Sequence, residues 1–247
     1  MYHQRSFALP EGATELVLVR HGASAAAVPG EPFPLVGGHG DPPLAPEGEL
    51  QAQAVGERLA REELAGLFVT PLQRTAQTAA PLAALTELEP AVVPELREVY
   101  LGDWEGGELR IRAAHGDPII LRAHAEERWD VIPNAESMEA FAERVAAGLE
   151  AVVDATGPGA AAAAFVHGRV IGELCRQETE SRPFAFLHAD NASITRLVVL
   201  ADGRRLLRSF NDTAHLEAVD GYARSSAIRS SRPSISTTET ASGKAPS

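Results

Sequence analysis

The chain has 247 residues, 45% of them hydrophobic and 23% charged, the make-up of one sizeable globular domain, with a formal net charge of −12. That acid excess speaks against binding to nucleic acid or to anionic membranes, which runs on clustered Lys and Arg, and the single cysteine, Cys175, excludes an intrachain disulfide and a cysteine zinc cluster. The only lysine, Lys244, lies close to the C-terminus, so Walker A loops, protein-kinase sites, Schiff-base enzymes and pyridoxal-phosphate enzymes are excluded from the folded body.

Residues 15–19 (ELVLV) read as a buried strand that runs straight into Arg20-His21-Gly22. Residues 28–46, crowded with proline and glycine, read as a long loop, and 46–61 (PEGELQAQAVGERLAR) as an amphipathic helix with Leu50, Val55 and Leu59 at helical spacing. GLFV at 66–69 predicts a second strand. It closes on Thr70-Pro71, a capping residue followed by proline, which predicts a helix from there to about Leu85 with Arg74 in its first turn. Residues 91–101 are expected to be extended and irregular, and 107–147 mostly helical with breaks at Gly116-Asp117-Pro118 and Pro133-Asn134.

A third buried strand, 160–166, ends in His167-Gly168 and leads into a helix to about Gln177. The runs 194–200 and 204–210, separated by Ala-Asp-Gly, predict a terminal hairpin. The pattern implies an α/β domain over residues 1–221: three layers, α/β/α, with a mixed, mostly parallel central sheet. Beyond Gly221 Ser and Thr dominate and large apolar residues nearly vanish, so 222–247 is expected to be a disordered tail. The sequence shows no basic segment followed by an apolar leader and no run of membrane-spanning length, and a cytoplasmic protein is expected.

Two predicted strands thus end in His-Gly. In open α/β sheets the ligand crevice lies at the carboxyl ends of the strands, which puts His21 and His167 at one edge. Arg74, in the first turn of a helix that starts at that edge, adds a guanidinium beside free N–H groups, a setting suited to an anion. Arg20, His21, Arg74 and His167 therefore gather four phosphate-compatible groups in one place.

The motifs VRHGAS (19–24), GHGDPPLAPEGELQA (38–52), VTPLQRTAQTA (69–79), LREVYLGDWEG (96–106), PNAESMEAFAERV (133–145), FVHG (165–168), NASITRLVV (191–199) and NDTAHL (211–216) together resemble the histidine phosphatase superfamily, which includes the cofactor-dependent phosphoglycerate mutases. The resemblance implies a phosphohistidine mechanism with no metal and no cofactor. His21 would be the nucleophile, and Arg20, Arg74 and His167 would hold the phosphoryl oxygens. Glu98 would protonate the leaving oxygen and then activate water. The reading expects nearby guanidinium groups to keep His21 neutral, and Glu98 to be buried against Tyr100 and Trp104.

Many members carry an acidic residue and an asparagine where this chain has Ala23 and Ala27, so Ser24, or the loop 28–41 with His39 and Asp41, is expected to supply the missing substrate contact. The basic, proline-rich insert of the mutase branch is missing, and residues 107–134 offer Arg110, Arg112, Arg122, Arg128, His115 and His124 for a substrate entrance instead. Trp129 and Met138 are assigned to core or lid packing, Asn191 and Ser193 to fixing a strand end, and His188 and His215 to structure. The expectation is a phosphatase acting on a small phosphorylated metabolite. The alternatives are a phosphoglycerate mutase-type phosphotransferase and an inactive phospholigand-binding protein on the same fold.

Overall fold

The computed structural model describes residues 6–217 and residue 219. The segment read as a tail, 222–247, lies outside the described residues. In chain order the elements are β1 (Thr14–Arg20), the short strands β2 (Leu35–Val36) and β3 (His39–Gly40), α1 (Pro46–Leu59), β4 (Gly66–Val69), α2 (Gln73–Thr86) and β5 (Pro90–Val92). They continue with α3 (Glu108–Ala114), α4 (Pro118–Glu126), α5 (Met138–Thr156), β6 (Ala161–Val166), α6 (Gly168–Thr179), β7 (Ile194–Val199) and β8 (Arg205–Asp212).

The main sheet has six strands in the order β5-β4-β6-β1-β7-β8. The first four run parallel, and β7 and β8 pair antiparallel at one side, as the Ala-Asp-Gly hairpin signal predicts. β1 shows why the sheet must be covered twice. Leu16 and Leu18 join one apolar cluster with Phe141, Leu149 and Ile171 from α5 and α6, while Val17 and Val19 join the other with Val55, Leu59 and Leu82 from α1 and α2. Strict alternation along a strand with both faces apolar gives the three-layer α/β/α arrangement.

Local sequence explains most element ends. Pro46 opens α1 with Glu47 and Glu49 in the first turn, where negative charge meets the helix dipole. Asp117 caps α4 by accepting the Ile119 N–H, and Ser137 caps α5 by accepting the Ala140 N–H. The breaks expected at 116–118 and 133–134 are the gaps before α4 and α5, and α5 runs on to Thr156.

Three expectations are corrected. The helix expected to begin at Thr70-Pro71 begins at Gln73, because Leu72 keeps an extended backbone, φ −86° and ψ 126°. The Gln73 N–H is met instead by Asp41 Oδ1 at 2.8 Å, a cap delivered from a distant loop. Leu50 points out of α1, 53% exposed. Gln51 faces inward in its place, its Oε1 accepting the Ala23 N–H at 2.8 Å. Finally, the loop 28–46 is not structureless, since β2 and β3 pair within it as a two-stranded antiparallel ribbon.

Candidate active site

The carboxyl ends of β1, β4 and β6 and the start of α2 open on a cleft of about 290 Å³, whose lining includes Arg20, His21, Arg74, Glu98, Arg110 and Arg169. With Glu105 the charged lining is four arginines and two glutamates, so a chain of net charge −12 keeps a local positive surplus here. Such a hollow suits a small anion.

His21 follows β1 directly and is buried. Its Nδ1 lies 2.7 Å from the Gly22 carbonyl oxygen. A carbonyl only accepts, so Nδ1 carries the proton and Nε2 carries the free lone pair. Burial first, then the charges of Arg74 and Arg20, hold the imidazole well below the ordinary histidine range. The guanidinium effect expected from sequence is present, with burial the larger cause. The His21 carbonyl accepts from Asn191 Nδ2 at 2.9 Å, so Asn191 fixes the strand end as expected.

Packing requires glycine at 22: a Cβ there would lie 2.5 Å from the Gly48 carbonyl oxygen, and a Cβ on Gly48 would overlap the Ala23 carbonyl oxygen. Two glycines let α1 press against the histidine turn. The Gly22 N–H is tied to Thr78 Oγ1 at 3.0 Å from the other side, so the turn is gripped by α1 and α2 together.

Arg74 is buried, its Nη1 donating to the Gly40 carbonyl at 3.0 Å with Asp41 Oδ1 3.8 Å away. Burial pushes its pKa down to about 10, which leaves it protonated at neutral pH. Arg20 donates Nη1 to the Ala189 carbonyl, while its Nε is buried without a partner among the described residues. Burial, chiefly, lowers its pKa too. Gly168 lets it pass, since a Cβ there would sit 3.2 Å from Arg20 Nε.

His167 is fully buried, with its ring 5.3 Å from that of His21 in an edge arrangement. Its Nε2 meets the Thr70 hydroxyl, and its Nδ1 has no partner among the described residues. Burial and then Arg74 keep it, like His21, well below the usual histidine range. The structure thus brings Arg20, His21, Arg74 and His167 together, with Glu98 in the lining of the same cleft.

Glu98 follows a 3₁₀ turn (Pro94–Leu96) and is clamped through its backbone. Arg144 of α5 donates to the carbonyls of Glu95 and Arg97, each at 2.7 Å, and of Glu98 at 2.9 Å. Arg144 also pairs with Glu136, whose Oε1 in turn accepts the Tyr100 N–H at 2.7 Å. Nothing in the local sequence marks Arg144 for this, because its partners lie 46 to 49 residues away. The side chain that Glu98 meets is that of Arg169, Nη1 to Oε2 at 3.3 Å, where Tyr100 and Trp104 were expected to bury it.

Ser24 does not line the cleft. Its Oγ accepts from Arg110 Nη2 at 2.8 Å, and Arg110 Nη1 donates to the Ala25 carbonyl at 2.8 Å. Of the six groups offered by 107–134, Arg110 alone lines the cleft. Arg112 pairs with Glu108 and Asp117, Arg122 with Glu126, and Arg128 with Asp130. His115 Nδ1 bonds its own helix at the Ile111 carbonyl, and His124 packs edge-on to Trp129 and Phe184.

His39 is buried in the lining, 5.4 Å from the Tyr100 ring, and Asp41 is buried as the α2 cap. Trp129 is core, as expected, whereas His188 is exposed and His215 holds the Ala192 carbonyl at 3.0 Å. Arg169 and Glu105 were missed. A clue to Arg169 was present, since it directly follows His167-Gly168.

Among the described residues no helix is long and apolar enough to cross a membrane. The chain is 30% identical over 206 residues to a bifunctional protein of Mycobacterium tuberculosis, an alignment covering 82% of this chain and 55% of that one, so it spans about half the length of this curated relative. It is also 30% identical over 209 residues to phosphoglycerate mutase-like protein 4 of Arabidopsis thaliana, covering 82% and 87% of the two chains. Among solved structures, a mycobacterial glucosyl-3-phosphoglycerate phosphatase superposes with a TM-score of 0.65 at 27% identity, covering 81% of this chain and all of the other. The family model of the histidine phosphatase superfamily (branch 1) matches residues 16–213, from within β1 to just past β8, and the chain belongs to that superfamily.

Proposed function

We propose that the chain is a phosphatase that hydrolyses phosphomonoesters of small metabolites through a phosphohistidine at His21. The observation that carries this is the His21 tautomer: Nδ1 is committed to the Gly22 carbonyl and burial keeps the ring neutral, so Nε2 is a lone-pair donor between Arg20 and Arg74. A phosphoryl group seated there would place its oxygens among two fixed guanidinium groups, donors set before the charge develops, and we propose that His167, buried behind the lining with an Nδ1 that has no partner among the described residues, joins them. The relative named as a phosphatase supports the same reading.

In the first half, Nε2 attacks phosphorus in line with the departing oxygen. Glu98, which lines the same cleft, gives its proton to the leaving alkoxide. In the second half Glu98 takes a proton from water, which displaces His21 from phosphorus. Ser24 enters this scheme through Arg110, whose guanidinium it orients toward the cleft.

A mutase is favoured by the name of the Arabidopsis relative, and the same His21 chemistry would serve it. The two part at the acceptor. Phosphate release from a panel of phosphorylated metabolites, measured beside phosphoryl transfer between 2- and 3-phosphoglycerate, tests the choice. Release without transfer is expected, together with its loss in His21→Ala. Transfer outpacing release would overturn the phosphatase reading, and silence in both assays would favour a phospholigand-binding protein.

A further inference from the structure

Arg169 is the second residue of α6 and, among the described residues, the one cleft arginine hydrogen-bonded to Glu98. Glu98 Oε2 lies 3.3 Å from Arg169 Nη1, and Glu98 Oε1 accepts the Val99 N–H at 3.0 Å. Each carboxylate oxygen thus has one fixed donor, which restrains rotation of the group while leaving each oxygen a lone pair for a ligand. Arg169 is itself held from behind. Its guanidinium carbon sits 4.1 Å from the centre of the Trp129 ring, and Trp129 stacks on Phe184 at 4.7 Å and 29°. Because Trp129 is part of the core, this support exists before any substrate arrives.

The other cleft arginines are built differently. Arg20 and Arg74 are anchored on the carbonyls of Ala189 and Gly40, and Arg110 on Ser24 and the Ala25 carbonyl. Those anchors leave guanidinium groups for an anion, whereas Arg169 spends an Nη1 donor on the Glu98 carboxylate.

We infer that Arg169 is a positioning residue for the hydrolytic half of the reaction, holding Glu98 where it takes a proton from the water that discharges phospho-His21. The inference rests on the function proposed above. In this half the water oxygen bonds to phosphorus as the bond from phosphorus to Nε2 breaks. The electron pair returns to His21, one water proton passes to Glu98, and inorganic phosphate leaves. Glu98 gave up a proton to the leaving alkoxide earlier, so the cycle closes without another reactant. Water brings little binding energy of its own, and its placement depends on the base that receives its proton. A substrate anchored through its phosphoryl group depends on that base far less.

An aryl phosphate isolates the second half, because nitrophenolate departs without needing a proton. Arg169→Met mixed rapidly with para-nitrophenyl phosphate is expected to release one nitrophenolate per active site at the wild-type rate. Steady turnover should then be slower by about tenfold or more, with phosphate accumulating on His21. Arg169→Lys keeps the charge but not the flat stack on Trp129, and should fall between the two; it carries the test if the Met variant does not fold.

Burst and turnover slowing together would make Arg169 a phosphoryl contact and overturn the inference, as would no change in either. If wild type forms no phosphoenzyme, or the label survives His21→Asn, the function proposed above has failed instead. Label on His21 that Arg169→Met discharges at the wild-type rate fails the Arg169 assignment alone.

Discussion

The strand-end wall of the cleft and the helical wall that faces it share a charge type but little else. On the first, His21, Arg74 and His167 are 5%, 6% and 0% exposed, and Arg20, His21 and Arg74 are each tied to a backbone carbonyl. On the second, the arginines of α3, α4 and the turn after them are mostly spent in local ion pairs, and Arg110 alone reaches the cleft, held by one carbonyl and one hydroxyl. Three side chains already anchored on backbone carbonyls need no rearrangement to meet a ligand, so the first wall is preorganised. On the function proposed above, the second is where selectivity among leaving groups would be set.

The largest expected effect tests the first wall. His21→Ala should lower kcat/KM by about 10⁴-fold or more, since the variant lacks the nucleophile of the proposed reaction. Arg74→Met should lower it by about 10²- to 10³-fold, the loss of one fixed donor to developing charge. Steady-state kinetics with an aryl phosphate read both. Should either variant keep more than a tenth of wild-type kcat/KM, the strand-end wall would not be the reactive one.

The same burial sets a pH signature. His21 and His167 both have lowered pKa values when folded, whereas the unfolded chain takes up protons near pH 6.5. The unfolded state therefore binds more protons as pH falls below that value, and stability drops by about 1.4 kcal/mol per pH unit for each group until its folded pKa is reached. Urea titrations at pH 7.5 and pH 5.5 should show the midpoint falling, and His167→Gln should shrink the fall. A midpoint that holds steady would mean that neither imidazole is buried uncharged.

The contrast also explains what could be read from sequence. A strand closed by His-Gly places its histidine by main-chain geometry alone, so Arg20, His21 and His167 were legible along with the sheet that carries them. Arg74 was legible although its helix begins later than expected, because a shift of the helix start leaves it in the first turn. What failed depends on long-range packing. Gly22 answers to Gly48 across 26 residues, Glu98 to Arg144 across 46 and to Arg169 across 71, and no local pattern encodes those meetings. Arginines 110, 112, 122 and 128 were indistinguishable in sequence, since only partner placement separates a surface ion pair from a cleft cation.

That last distinction predicts a graded result on the helical wall. Arg110→Met should raise KM by about tenfold, the loss of one charge-assisted contact of roughly 1.5 kcal/mol, with kcat changed far less. Arg122→Met, which breaks only an exposed pair with Glu126, should stay within about twofold on both constants. Equal effects from the two would remove Arg110 from the cleft.

Ser24→Ala gives the smallest effect and the finest test. The sequence expects Ser24 to touch substrate itself, in which case its loss would act independently of Arg110. The structure routes it through Arg110, as one of that residue's two neutral anchors. Removing one neutral hydrogen bond of about 0.5–1 kcal/mol should raise KM only about two- to fivefold. In an Arg110→Met background there is no guanidinium left to orient, so the same Ser24→Ala change should do nothing further, a coupling that a double-mutant cycle measures directly. Additive effects would instead place the hydroxyl on the substrate and make the turn after His21, rather than the facing helix, the source of the contact that Ala23 and Ala27 lack.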